Sequence, residues 1–331
     1  MATIQDVAKR AGVGAATVSR VLSGNGYVKQ ETRERVQQAI DELHYTPNEM
    51  ARNLFFRKSS IVAVIVPELA HPFFTEIVNA VEVALSAAGY QAMVCNTFYE
   101  QSYELRYIDM LKRQIVDGII FAAHTSQGLD QYQNLHRPIV GIDRNLGKDI
   151  PCVAADHETG GRLAAEELLS CGCKNVVQFV GRKERVVSSY DRRHVVFEKV
   201  MKQHGVSCHS VDIYWRSFAS DSFQKSAAEA FTKYPETDGV FGADLYAMAA
   251  MQYALQIGRR IPEDVRIVAY DGTNATRFMT PGMTAVCQPI EEIARESVRM
   301  ITDLIQGKEL QQNNITLPVT LRRRDSTGAG G

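Results

Sequence analysis

The sequence predicts a small all-α helix-turn-helix domain followed by a large α/β body built on parallel sheet. Three observations lead there. Over roughly the first 45 residues a helical apolar stripe recurs three times, broken by glycine-containing corners. From about residue 60 onward, short apolar runs alternate with amphipathic helical stretches, the pattern of βα units. The charge is also unevenly shared. The whole chain is near neutral, with 37 Lys+Arg against 38 Asp+Glu. Residues 1–60, however, hold nine cations and six anions, a net +3, which leaves −4 for the rest. A length of 331 residues suggests about two domains, with room for a small extra module. With 45% hydrophobic and 23% charged residues, the chain is not disordered, fibrous or collagen-like. The neutral balance also excludes a polycation that holds nucleic acid by bulk charge alone.

The first helix starts after Thr3, with Asp6 three residues on as the acid of a capping box. Ile4, Val7, Ala8 and Ala11 share one face, and Gly12 suits a left-handed cap. The second helix is expected from about Ala15 to Leu22, burying Val18, Val21 and Leu22, and stops at Ser23-Gly24-Asn25-Gly26. The third is expected from about Thr32 to His44, with Val36, Ala39, Ile40 and Leu43 as its stripe. Small residues at Ala11-Gly12-Val13 supply the tight corner of a helix-turn-helix. In such a motif the second helix enters the major groove with its N-terminal residues toward base edges. Those residues are Ala15, Ala16 and Thr17, with Ser19 and Arg20 behind. Arg20 is the candidate for a base contact, since a guanidinium can pair bidentately with guanine. The alanines can touch only thymine methyls or the groove wall. Thr3, Thr17, Ser19 and Asn25 suit phosphate or water contacts, which position without specifying.

The stretch TIQDVAKRAGVGAATVSRVLSGNGYV, continued by ETRERVQQAIDELHYTPNEMARNL, resembles the LacI/GalR family of bacterial transcription regulators. The similarity runs to the C-terminus. Two departures are visible: Gly14 stands where the family usually has Ser, and Lys29 where Ser or Thr usually caps the third helix. The Ala15-Ala16 pair carries over no operator base preference. Residues 47–57 read as a short helix opened by Pro47-Asn48, with Met50, Ala51 and Leu54 on one face. About eleven residues are too few for a stable isolated helix. The resemblance implies a hinge helix that folds when two copies meet over the minor groove. Asn48 and Arg52 then join the DNA-contacting set. Leu54 is implied as the wedge that enters between central base pairs and kinks the duplex.

In the body, strands are expected at Ile61–Val66, Gln91–Cys95, Gly118–Ala122, Ile139–Ile142, Val176–Val180, Gly239–Phe241 and Arg266–Tyr270. Helices between them include Phe73–Ala88, Leu105–Arg113, Gly160–Cys171, Val195–His204, Ser220–Lys233, Leu245–Gln256 and Pro289–Ile305. The resemblance implies a two-lobed, periplasmic-binding-protein-like body with an effector cleft between its lobes. It divides the chain into a DNA-binding domain 1–46, a hinge and linker 47–59, a first lobe of 60–158 and 288–317, and a second of 159–287 and 318–328. Motif searches propose no enzyme: GxGxxG, GxxxxGK, GxSxG and HExxH do not occur, and Gly161 stands where a zincin after His157-Glu158 needs its second His. The six cysteines, at 95, 152, 171, 173, 208 and 287, form no CxxC pair and no zinc spacing. No cofactor or metal is expected. The polar N-terminus MATIQDVAKR leads into no apolar region, so a reducing cytoplasm is expected.

Ligands of open α/β sheets sit beyond the carboxyl ends of strands. His71-Pro72-Phe73-Phe74 follows the first strand, Asp244 follows the one ending at Phe241, and Asp271 follows the one ending at Tyr270. Arg193 lies just before the helix that begins near Val195. Planar polar groups with an aromatic face suit a sugar. Phe73 and Phe74 read equally as plain core, and Asp244 equally as a helix N-cap. The resemblance places these residues on the effector cleft. It matches Arg193 to the Arg of an RxxGF pattern, although Val196 replaces the Gly. Asp271 matches the acid of the strand–FDD turn, Gln288 the Gln before Pro289, and Trp215 an aromatic platform. The stretch Tyr270-Asp271-Gly272-Thr273 is loosely similar to sucrose-operon repressors. The function implied is a repressor of carbohydrate-use genes: a homodimer on a pseudo-palindromic operator, whose DNA affinity a sugar changes. No heptad tail follows Leu321–Arg324, which favours a dimer over a tetramer. A purine effector within the same family is one alternative. A sugar-binding protein without a regulatory role is the other.

Overall fold

The computed structural model describes residues 2–23, 26–45, 58–123, 132, 135, 137–181, 189–213 and 220–328. It forms two compact units, Met1–Ser59 and Ser60–Gly331.

The first unit holds three helices, α1 (Ile4–Ala11), α2 (Ala15–Ser23) and α3 (Gln30–Glu42). Thr3 and Asp6 close a full capping box on α1, and Gly12 ends it at φ 64°, ψ 38°. α3 begins and ends two residues before the sequence expectation. Lys29 makes no side-chain cap, but its carbonyl accepts from the N–H groups of Thr32 and Arg33 at 3.0 Å each, so the backbone alone starts the helix early. Val7, Ala8, Ala11, Val18, Val36 and Ala39 form the buried centre.

The second unit is built on two six-stranded sheets. The first contains β1 (Ile61–Val66), β2 (Gln91–Asn96), β3 (Gly118–Phe121), β4 (Ile139–Ile142), β5 (Cys152–Ala155) and β11 (Asn314–Leu317), in the order β11-β5-β4-β3-β1-β2. All its pairings are parallel. The second contains β6 (Asn175–Gly181), β7 (Ser207–Ile213), β8 (Gly239–Ala243), β9 (Arg266–Asp271), β10 (Thr284–Cys287) and β12 (Thr320–Arg322), in the order β12-β10-β9-β8-β6-β7. Only its last pairing, β10 with β12, is antiparallel. The chain changes sheet after β5, returns after β10 and crosses once more to β12. Strands β1, β8 and β9 are buried nearly throughout, as continuous apolar runs must be when both faces of a sheet are covered.

The intervening helices are α4 (Pro72–Ala87), α5 (Gln101–Lys112), α6 (His157–Ser170), α7 (Arg192–Gln203), α8 (Ser220–Lys233), α9 (Asp244–Gln256) and α10 (Ile290–Ile305). α10 lies beside α4 over β3, β4 and β5. α6 lies against α7 and β9. This last contact requires glycine. A Cβ on Gly160 would stand 2.4 Å from the Tyr270 hydroxyl, and one on Gly161 2.1 Å from the Arg193 carbonyl oxygen. Strands β5, β7, β10, β11 and β12 escaped the sequence expectation. β5, β10, β11 and β12 have three or four residues each, and β7 alternates exposed with buried positions at its edge.

Candidate functional site

In the helical unit, Ala15, Ala16 and Arg20 are exposed on α2, while Thr17 and Ser19 are half-buried and Val18 is fully buried. The first turn of α2 thus turns its small side chains outward, and the buried Val18 fixes the face. Gly14 carries the N-terminal role for α2 through its carbonyl, which accepts from Thr17 and Val18 N–H at 2.8 and 3.2 Å. Thr3 is committed to its own helix: its hydroxyl meets Asp6 Oδ2 at 2.7 Å. Arg10 is ion-paired with Glu42, tying α1 to α3. Asn25, Asn48, Arg52 and Leu54 lie outside the described residues.

In the body, the carboxyl ends of both sheets supply one polar cluster, and Asp271 is its hub. It ends β9 with φ 108°, a conformation that L side chains rarely adopt. The next residue, Gly272, has φ 67°, and a Cβ there would stand 2.4 Å from Cys287 Sγ. Only glycine lets the chain turn away so sharply and leave Asp271 facing the cluster. Asp271 Oδ1 accepts from Gln288 Nε2 at 2.8 Å and lies 3.4 Å from Arg193 Nη1. All three side chains are buried. The Arg193 guanidinium lies over the Tyr270 ring, 4.2 Å from its centroid. Among the described residues nothing donates to Asp271 Oδ2, nothing accepts from Arg193 Nη2, and Gln288 Oε1 is buried without a partner. A carboxylate oxygen, an amide oxygen and a guanidinium edge therefore remain for a ligand.

Asp244 departs from the expectation for it. It is fully buried at the start of α9. Its oxygens accept from Gly272 N–H (3.2 Å), Thr273 N–H (2.8 Å) and the Thr273 hydroxyl (2.6 Å). Burial, and then the nearby charge of Asp271, push its carboxyl well above the usual carboxylate range. It neither caps its helix, a place taken by Ala243, nor reaches outward. It ties down the turn that presents Asp271. Phe73 and Phe74 open α4, with centroids 5.3 Å apart, and both pack into the core beneath the cluster. Trp215 lies outside the described residues.

Further polar residues join the two sheets, and of these Asp143, Ser189, Glu76 and Asn274 had not been singled out from the sequence. Asp143 follows β4 at φ 52°. Its Oδ1 lies 2.9 Å from His157 Nε2, and His157 Nδ1 lies 2.9 Å from the Tyr270 hydroxyl. Ser189 donates to the Asp143 carbonyl. Glu76 of α4 accepts from Asn274 N–H at 2.8 Å. His71 caps α4, accepting from Phe73 N–H at 3.3 Å. Burial holds its imidazole below the ordinary value, Asp271 opposing and Arg193 adding to the effect. One signal was available for Asp143: it directly follows an apolar strand run, as Asp271 does. His157, weighed only as a zinc ligand, carried none. Among the described residues no metal-holding cluster occurs.

Two family models cover the chain. The DNA-binding model of the bacterial regulatory proteins, LacI family, matches residues 3–48. The model of periplasmic binding proteins and the sugar-binding domain of the LacI family matches residues 59–324. The ribose operon repressor of Halalkalibacterium halodurans is 37% identical over 331 residues, covering 100% of this chain and 98% of that protein. The sucrose operon repressor of Streptococcus mutans is 33% identical, covering 98% and 99%. A solved complex of the transcriptional regulator CelR with cellobiose superposes with a TM-score of 0.70 at 31% identity, covering 98% of this chain and 100% of that one. The helix-turn-helix head, the twin parallel sheets and these matches along the full length agree: the chain belongs to the LacI family of bacterial transcription regulators.

Proposed function

We propose that the chain is a DNA-binding repressor of carbohydrate-utilisation genes whose operator affinity is set by a sugar held between the carboxyl ends of its two sheets. The observation that carries the ligand class is the Asp271–Arg193–Gln288 cluster. It offers two acceptors and a donor edge from buried side chains, the set that adjacent hydroxyls of a sugar ring engage. Relatives named as repressors of ribose and sucrose operons support the same class. α2 is the reading helix, with Ala15, Ala16 and Arg20 toward the bases and Thr17 and Ser19 toward the backbone; residues 47–57, with Asn48, Arg52 and Leu54, act as the hinge. The active species is a homodimer. The protein acts as a regulator rather than an enzyme, and in the cytoplasm, where operators are.

Gel-shift titration of the full chain against a random duplex library, in a salt series, tests this. The expected result is selection of a pseudo-palindromic site, with affinity falling steeply as salt rises and changing on addition of ribose or sucrose. Equal affinity for every duplex, or no effect of either sugar, would overturn it.

A further inference from the structure

Arg193 and His194 are consecutive at the start of α7, and both are buried. Arg193 Nε donates to His194 Nε2 at 3.3 Å. His194 Nδ1 lies 3.1 Å from Gln178 Oε1, and Gln178 Nε2 lies 3.1 Å from Ser210 Oγ. The donor order admits one arrangement. A guanidinium Nε–H can only donate, so His194 Nε2 must accept. His194 must then carry its proton on Nδ1 and give it to the Gln178 carbonyl oxygen. The Gln178 amide donates in turn to Ser210. The imidazole closes this chain only when neutral and only as the Nδ1–H tautomer.

Gln178 is itself the anomaly. It sits in the middle of β6, 1% exposed, among Val176, Val177, Phe179 and Val180. His194, 6% exposed, packs its ring against Phe241 at 5.4 Å. Two buried polar side chains cost desolvation that a pair of leucines would not. What the pair achieves is a fixed Arg193 guanidinium, anchored at Nε from behind and at Nη1 by Asp271. We propose that Gln178 and His194 are positioning residues that hold Arg193 in its ligand-binding orientation. This rests on the reading of the cleft given above. The groups facing His194 are Arg193 on its own helix, Gln178 on β6, His157 on α6 and the Phe241 ring on β8. Among the described residues no carboxylate faces it. Protonation would set an N–H against the Arg193 N–H and place a second positive charge beside the guanidinium.

The test combines calorimetry and NMR on the full chain. Ribose and sucrose are titrated into wild type, Arg193→Ala, Gln178→Leu, His194→Leu and His194→Gln, each first checked for a cooperative melt. Gln178→Leu and His194→Leu are expected to weaken sugar binding about tenfold, the worth of one hydrogen bond to a charged group. His194→Gln, which can still accept and donate, is expected to recover most of it. Nitrogen-15 spectra of the ligand-free protein are expected to show His194 as the Nδ1–H tautomer from pH 8 to pH 5.5. An Nε2–H tautomer, or leucine variants within twofold of wild type while Arg193→Ala loses binding, would overturn the relay alone. A wild type that binds neither sugar, or an Arg193→Ala variant that binds like wild type, would overturn the cleft reading and the relay with it.

Discussion

Asp244 is a residue whose role reverses between chain and fold. In the sequence it is an acid just beyond a strand, a place where ligand-binding carboxylates stand. In the fold its oxygens are consumed by the Gly272–Thr273 turn. Asp271 shows the opposite case, since its exceptional backbone, φ 108°, serves to aim one side chain at the cluster. The two acids therefore act in sequence, one shaping the turn and the other using it. Asp244→Ala leaves two N–H groups and a hydroxyl unpaired and buried. Urea unfolding is expected to show a loss of about 2 kcal/mol, with weaker sugar binding on calorimetry. Unchanged stability would mean that the turn holds without its tether. Nothing in residue type alone separates these roles, because both sites read as strand, then acid.

The elements were the most legible part. Apolar periodicity located the principal helices and the long buried strands, since those segments satisfy their backbone locally or through continuous burial. It failed for short and edge strands such as β10 and β7. The four residues of β10 mix Thr and Cys with Ala and Val, unlike the uniformly apolar β3 and β4 of the same length, and β7 carries Ser, His and Asp along the sheet edge. It also started α6 at Gly160 instead of His157. Gly160 and Gly161 weaken helix propensity, and the reason for them is tertiary: α6 comes so close to Tyr270 and to the α7 backbone that no side chain fits. Gly161→Ala, harmless by propensity, is expected to destabilise the body by about 1–3 kcal/mol, because the atom met is backbone and cannot swing aside. Thermal melts against Glu166→Ala, an exposed position of the same helix, make the comparison. Equal melting temperatures would dismiss the close approach as the cause.

For the whole molecule, the buried histidines set a pH dependence. Burial holds both His71 and His194 below the ordinary value of 6.5. Below that value the unfolded chain takes up protons that the folded chain refuses, so unfolding gains as pH falls. Stability is therefore complete above about pH 6.5 and declines below it, by at most about 1.4 kcal/mol per pH unit for each histidine. Asp244 works the other way: its folded value lies above the unfolded one, so it offsets part of the acid loss. Urea titrations between pH 8 and pH 5 are expected to show this slope, reduced in His194→Leu; an unchanged slope would remove His194 as a source. Linkage binds the two units as well. If sugar weakens operator binding by some factor, operator must weaken sugar binding by the same factor. Calorimetry with and without operator duplex measures it, and equal sugar affinities would end the claim of coupling.

By itself the sequence determined the division of labour: a basic three-helix head, an acidic α/β body, and the family that joins them. These are local properties of charge, period and motif, fixed by neighbours a few positions away. Arg193, Asp271 and Gln288 were already marked by sequence and resemblance; only the tertiary structure showed that they meet, and which further polar residues stand behind them. Asp143 follows β4, His157 opens α6, Gln178 lies in β6, His194 in α7 and Tyr270 in β9, and their importance comes from distances near 3 Å between separate elements. Folding makes them neighbours, and in a buried setting a polar atom left without a partner is costly.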